Sequence, residues 1–355
     1  MATSRKGLSH DGKAMQSGMP SGAAGPGRPV PWILGLGLAG AVLFTACQQT
    51  VSHPPARSRV EFARDDARGR LELRIGGRPA FTCVYSEDWD LPHLYPIFSP
   101  SGQPMTVQKA EPYPHHRSFW FADTVQRAGH REASFYNAWY SGAGGPKDPH
   151  PPFRDRIRHD GFLLVQPGSG AGRLRWRLIW EMDHGQTPVL EETRDMRVVA
   201  LEDGQYFLDV TFTVTAAFGP VTFRSDAVHY AWPYVRMNDR FNTNGQGRLV
   251  NSEGGIGQAG THDRPARWVD FSRTGVPDAE GLALFSHPSN PHPHTWLTRD
   301  YGTFGPRREA ARNGRPFTLP QGASLSTRVG VLVHRGDGQT GRVDDWYRAW
   351  CEGRL

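Results

Sequence analysis

The feature that most constrains this chain is a two-residue hydrophobic alternation that recurs along it, while helical spacing almost never appears. "RLELRIGGRPAFTCVYS" sets Leu71, Leu73 and Ile75 on one face, turns at Gly76–Gly77 and resumes with Phe81 and Cys83, the pattern of a β-hairpin. "GRLRWRLIWEM" alternates Leu174, Trp176, Leu178 and Trp180, and "FLDVTFTVTAA" alternates Leu208, Val210, Phe212 and Val214. Near the end "SLSTRVGVLVH" aligns Leu325, Thr327, Val329, Val331 and Val333. Only the tail "GRVDDWYRAWCEG" reads as a helix, a short one with Val343, Trp346, Tyr347 and Trp350 along its inner face. Many period-2 strands without interleaved helices predict an all-β fold: a large antiparallel β-sandwich, wide enough for a concave face, with a short C-terminal helix. Gly 41 and Pro 29 are scattered, as turns between short strands require. No internal repeat is visible. Segments 141–152 and 251–266 read as long loops over a sheet face.

The N-terminus carries a different message. "PWILGLGLAGAVLFTAC" is apolar over a length too short to span a bilayer and suited to a signal h-region. It ends in small residues before Cys47, as in the lipobox of lipoproteins. Residues 1–46 are therefore expected to be a lipoprotein-type signal peptide, with Met15 or Met19 as possible starts, Cys47 as the lipidated residue and 47–58 as a polar tether. An uncleaved anchor is the alternative. Residues 59–355 remain as one β-sandwich domain, expected to be exported and lipid-anchored at the cell envelope. Cys83 and Cys351 are left, and an oxidising compartment permits either a bridge or two separate thiols. The net charge of +6 is spread among acids without a Lys/Arg block or a ladder of stacking aromatics, which argues against nucleic acid as a partner.

Three stretches could carry chemistry. In "EPYPHHRSFWFAD", two prolines suggest an extended entry, and His115, His116 and Arg117 follow. On a strand His115 and His116 point to opposite faces, so sharing a cavity requires a bulge. An imidazole can exchange a proton near neutral pH, and a guanidinium clamps hydroxyls or a carboxylate. "LALFSHPSNPHPHTWLTRDYGTFGP" offers His287, Asn290, His292, His294, Arg299, Asp300 and Tyr301, with Gly302 permitting a sharp turn. His287, His292 and His294 could hold a metal, although no carboxylate stands at a characteristic spacing. "PVLEETRDMRV" supplies Glu191 and Glu192, read mainly as surface charge, and "DAVHYAWPYVRM" adds His229, Tyr230, Trp232, Tyr234 and Arg236. Aromatics beside charged hydrogen-bonding groups suit a sugar, whose C–H faces stack on rings while its hydroxyls find polar partners.

"PHHRSFWFAD", "GQTPVLEETR", "ARWVDFS", "GLALFSHPSNP", "RDYGTFGP" and "LVHRGD", in this order, resemble the bacterial PmoA-like family of proteins of unknown function, over about residues 60 to 350. The resemblance implies an exported protein similar in fold to the galactose-mutarotase supersandwich, whose strands build a groove for a sugar ring. It directs attention to His115, His116, Arg117, His287, Asn290, Arg299 and Asp300. The chain departs from the family pattern after "WFA", where Asp123 and then "SFYNAW" replace a His-Gly and a VNGxDFW-like segment, and in the loop after Asn290. A membrane methane monooxygenase subunit is excluded by the lack of several apolar spans.

The expectation is an exported lipoprotein acting on a carbohydrate or sugar-derived molecule without a cofactor. His116 or His287 would donate a proton and Asp300, or less readily Glu192, would act as base. His115, Arg117, Asn290, Arg299, Tyr301 and His229 would bind substrate. Isomerase, lyase and hydrolase chemistry stay open. The alternatives are a non-catalytic glycan-binding lipoprotein and a metal enzyme built on His287, His292 and His294. The expected acid–base chemistry places His116 and His287 on opposite walls of one cavity.

Overall fold

Two antiparallel sheets meet face to face because both present aromatic and aliphatic side chains on one side. The computed structural model describes residues 58–140, 152–224, 231–290, 295–308 and 315–355. The lipidation residue Cys47, the signal segment, nearly all of the tether, His229, His292 and His294 lie outside the described residues. Among those described, a nine-stranded sheet runs in the spatial order Trp296–Thr298, Thr303–Pro306, Tyr234–Arg236, Phe119–Trp120, His93–Ile97, Arg78–Val84, Arg70–Ile75, Arg59–Asp65 and Gly168–Ser169. An eight-stranded sheet runs Gly247–Asn251, Trp268–Arg273, Glu280–Ser286, Ser324–Arg335, Tyr206–Thr215, Thr187–Ala200, Ala171–Met182 and Arg156–Gln166. A four-stranded sheet of Phe317–Leu319, Val221–Phe223, Thr124–Arg127 and Glu132–Ser134 lies apart from both hydrogen-bonded ladders. The protein is thus the large antiparallel β-sandwich that its alternation predicts.

The predicted hairpin forms, with Ile75 paired to Arg78 across Gly76 and Gly77, both at positive φ. Leu174, Leu178, Leu208, Val210 and Val331 are fully buried in the shared core, each worth roughly 1.5–3 kcal/mol of burial. Rings interlock across the gap: Phe121 stacks on Phe212 at 4.7 Å, and Phe271 meets Phe304 edge-on at 5.2 Å. The outer face of the eight-stranded sheet is covered by the C-terminal helix Val343–Cys351, which buries Val343, Tyr347 and Trp350 against Phe207, Phe285 and Leu332. Gly330 is required there, since a Cβ would stand 2.4 Å from the Phe207 ring. Trp346, expected on the helix's inner face, is only partly buried. Both described cysteines are free, Cys83 in the core and Cys351 on the outer helix, so no bridge joins them. Segment 251–266 is not all loop but contains a short helix, Gly257–Thr261. No helix among the described residues is long and apolar enough to cross a membrane.

Candidate functional site

The strand Tyr234–Arg236 positions the site. Val235 pairs with Phe304 and points into the core, so Tyr234 and Arg236 project from the opposite, outer face of the nine-stranded sheet. In the neighbouring strands the register puts Trp120 beside Tyr234 and Thr303 beside Arg236. Trp120 and Tyr234 stack at 4.7 Å with an interplanar angle of 11°. Arg236 Nη1 donates to Thr303 Oγ1 at 3.1 Å. Loops then cover this patch with further rings.

The first covering loop bears the two histidines. Residues 110–118 are not a strand: His116 N–H donates to the Tyr113 carbonyl and Tyr113 N–H to the Ala110 carbonyl, two consecutive turns, and the strand begins only at Phe119. Strand alternation therefore does not apply, and the imidazoles of His115 and His116 come together at 4.5 Å on one side. Tyr113 stacks on His116 at 4.9 Å. His116 Nε2 lies 3.0 Å from the Tyr136 hydroxyl and its Nδ1 3.4 Å from Thr303 Oγ1, while His115 Nδ1 lies 3.3 Å from the Tyr140 hydroxyl. Tyr301 closes the other side, 5.2 Å from Tyr113, with the Arg236 guanidinium 4.3 Å over its ring. The turn that carries it depends on Gly302 at φ +98, where a Cβ would stand 2.8 Å from the Met237 carbonyl. Tyr113, His115 and Tyr301 are half-exposed and His116 and Arg236 are buried beneath them. A groove of about 730 Å³, lined by Pro112, Pro114, Asn137 and Tyr140 among others, runs alongside.

Arg117 is not a hydroxyl clamp. It is fully buried, with Nε and Nη2 donating to Asp90 Oδ1 at 3.0 and 2.6 Å. Its Nη1 donates to the carbonyls of Pro114 and His116 at 2.9 and 3.1 Å, and the guanidinium lies between Trp89 and Trp139. Its job is to hold the histidine loop from below.

His287 does not meet His116. It follows Phe285 on the outer face of the other sheet, 4.8 Å from Trp350 of the C-terminal helix, with Nε2 3.2 Å from Arg328 Nη1 and Nδ1 2.7 Å from Ser289 Oγ. Burial and the Arg328 cation push its pKa down. That cation also makes the ring a poor metal ligand, and among the described residues no cluster of three His, Cys, Asp or Glu side chains could hold a metal. Asn290 ties two strands together, donating to the Arg328 carbonyl and accepting from Arg328 N–H, both at 2.7 Å. Asp300 is exposed and accepts from the Gln258 N–H of the short helix at 2.8 Å. Arg299 lies beside the site, with Nη1 2.9 Å from His262 Nε2, and burial together with Arg299 lowers the pKa of that imidazole. Glu192 is no surface charge: it is fully buried between the sheets, accepting from Trp180 Nε1 at 2.7 Å and from Arg194 at 2.5 Å. Asp123, where the chain departs from the PmoA-like pattern, is also buried. It accepts from Arg308 and Trp232, and burial pushes its carboxyl up to about 6.

The structure thus unites His115, His116 and Tyr301 and keeps His287, Asn290, Asp300 and Glu192 elsewhere. Sequence reasoning did not select Tyr113, Tyr136, Tyr140 or Thr303. Arg236 and Tyr234 stood out only as members of an aromatic strand, and their two-residue spacing was the signal.

The chain belongs to a family described as "Family of unknown function (DUF6807)", matched over residues 70–348. That description says nothing of a PmoA-like relationship. No curated protein matches the sequence. Solved structures with a similar arrangement include the GH36 alpha-galactosidase AgaB from Geobacillus stearothermophilus, at TM-score 0.44 and 10% identity over 78% of this chain and 41% of that one. Others are the alpha-galactosidase from Lactobacillus brevis, at 0.37 and 10% over 79% and 39%, and a polysaccharide lyase, at 0.31 and 14% over 80% and 34%. The chain spans well under half the length of these proteins, and likeness at this level says nothing about substrate.

Proposed function

We propose that the outer face of the nine-stranded sheet binds a sugar or sugar-derived ring, and that the His116–Tyr136 pair exchanges a proton with it. The observation that carries this reading is the concentration of Tyr113, His115, His116, Tyr136 and Tyr301 over Trp120 and Arg236 on one sheet face. Exposed ring faces stack on sugar C–H surfaces, and the imidazole–phenol pair at 3.0 Å supplies a donor and an acceptor that can trade roles. A glycan panel screened by binding and by product release tests it. Wild-type protein is expected to bind at least one glycan, and His116→Ala to lose turnover by a factor of about 10² or more. If no glycan binds, or if turnover survives in His116→Ala, the reading fails.

Binding without turnover is the second reading. It is supported by the positions of Asp300 and Glu192, both proposed as bases, which are engaged by Gln258 and by Trp180 with Arg194 and do not reach His116. Unchanged glycan after long incubation with protein that binds it would select this reading. The leader "LFTAC" supports export and lipid anchoring at Cys47. Fatty-acid labelling that persists in Cys47→Ala would count against the anchor.

A further inference from the structure

Among the described residues, buried arginines come with acids, save one. Among the described residues Arg117 is paired with Asp90, Arg194 with Glu192, Arg273 with Asp278 and Arg307 with Asp263. Arg236, 5% exposed, has no carboxylate within ion-pair distance among the described residues. Its one hydrogen bond there runs from Nη1 to Thr303, and its Nε is buried without an acceptor. A guanidinium cannot shed its proton, so burial without an anion is costly. The cost is visible as a downward push on its pKa, caused by burial. Around it stand phenols and an imidazole, Tyr301 at 4.3 Å over the guanidinium and His116 joined through Thr303.

The geometry is directional. Tyr301 covers one face of the guanidinium and Thr303 holds Nη1, which leaves the edge formed by Nε and Nη2 without a described partner. That edge carries two parallel N–H groups, the fork that a carboxylate accepts in bidentate fashion. Trp120 Nε1, in the same ring cluster, is likewise buried without an acceptor. Both groups lacking a partner are donors, so the missing component is rich in acceptors.

We infer that the ligand of this site is an acidic sugar, with a ring carboxylate docked on the Nε/Nη2 edge of Arg236 and the ring held against Tyr113 and Tyr301. The inference rests on the carbohydrate reading above and names the substrate class within it. Thr303 acts as a positioning residue: its hydroxyl accepts from Arg236 and leaves its own proton available to His116 Nδ1, which couples the anion site to the His116–Tyr136 pair. The half-exposed Tyr113 and Tyr301 rings lie between the guanidinium and solvent, so the ligand enters past them.

The test is calorimetric titration of the full chain with matched probes: galacturonate and glucuronate oligosaccharides, their methyl esters, the corresponding neutral oligosaccharides, a sulfated oligosaccharide and acetate. Wild-type protein is expected to favour the uronates over their methyl esters and neutral counterparts by about tenfold or more. The esters remove the charge without touching the protein, so this arm stands even if an Arg236 variant misfolds. Arg236→Gln is expected to abolish the preference, and Arg236→Lys to restore part of it. Equal affinity for uronate and ester, or an undiminished preference in folded Arg236→Gln, overturns the inference while leaving the carbohydrate reading intact. Preference for the sulfated probe over the uronates overturns the carboxylate assignment. Arg236-dependent binding of acetate with no binding of any oligosaccharide upholds the carboxylate fork and overturns the carbohydrate reading. No binding of any probe overturns both.

Discussion

Two histidine neighbourhoods, one on each sheet, show how differently the same residue type can be used. His116 lies over the nine-stranded sheet among phenols, beside a buried arginine with no acid partner among the described residues. His287 lies over the eight-stranded sheet, wedged between Trp350 and an arginine that is itself paired with Asp209 at 2.7 Å. Around His287 the donors and acceptors close on one another and the C-terminal helix covers the result. Around Arg236 two buried donors, its own Nε and Trp120 Nε1, have no acceptor among the described residues, which is costly. The first arrangement holds a fold together. The Arg236 arrangement is where the proposed ligand is placed.

The sharpest way to separate scaffold from site is to remove Arg117. Arg117→Ala leaves Asp90 buried without its cation and drops the contacts to the Pro114 and His116 carbonyls. A loss of about 3–5 kcal/mol is expected in denaturant unfolding. A loss below about 1 kcal/mol would mean that Arg117 does not support the loop.

A paired substitution tests the comparison itself. His116→Ala is expected to lower glycan turnover by about 10² or more. His287→Ala is expected to leave binding and turnover within about twofold and to cost about 1 kcal/mol of stability, from its hydrogen bonds and its packing on Trp350. Equal functional losses in both variants would break the distinction.

Acid and base should act in opposite senses on the two sheets. His93, in the nine-stranded sheet, is fully buried, and burial followed by Arg117 pulls its pKa down to about 3. Its folded pKa is depressed, so its contribution holds above the unfolded value of about 6.5 and is lost as pH falls through that value toward 3, by at most about 1.4 kcal/mol per pH unit. His334, in the eight-stranded sheet, lies 3.0 Å from Asp270. Burial opposes its charge, but Asp270 and the Arg335 carbonyl outweigh that and raise its pKa. Its contribution is complete below about pH 6.5 and is lost as pH rises through the folded value. Unfolding measured across pH in His93→Gln and His334→Gln checks both signs: the first should flatten the acid limb and the second the limb above neutrality. Either variant flattening the opposite limb contradicts the assignment.

The smallest effect is expected at Asp300. Asp300→Ala removes one acceptor from the start of the Gly257–Thr261 helix, worth about 0.5–1 kcal/mol, and should leave glycan affinity unchanged. A loss of turnover on the scale of His116→Ala would return Asp300 to the site.

How far the sequence could be read follows from these contrasts. Leu174 to Trp180 and Leu208 to Val214 declare their faces because a strand repeats every two residues, and the tail helix declares itself by the spacing of Val343, Tyr347 and Trp350. The site is legible only where it shares that periodicity, as Tyr234 and Arg236 do. His115 and His116 read as opposite faces of a strand, whereas two turns bring their rings together, a difference set by hydrogen bonds to Ala110 and Tyr113 that residue type does not reveal. The pairing of His116 with His287 failed for another reason: a motif shows which groups are reactive but not which sheet carries them. Glu192 misled because a carboxylate in an alternating strand reads as exposed unless Arg194 and Trp180 are known to share its buried face.

Determining the structure of the protein crystallised with the tightest-binding glycan tests the central claim most directly. Ligand density against Tyr113 and Tyr301, with an acidic group on the Nε/Nη2 edge of Arg236 and the ring within reach of His116, is the predicted result. Density on the other sheet, beside His287 and Trp350, would contradict it.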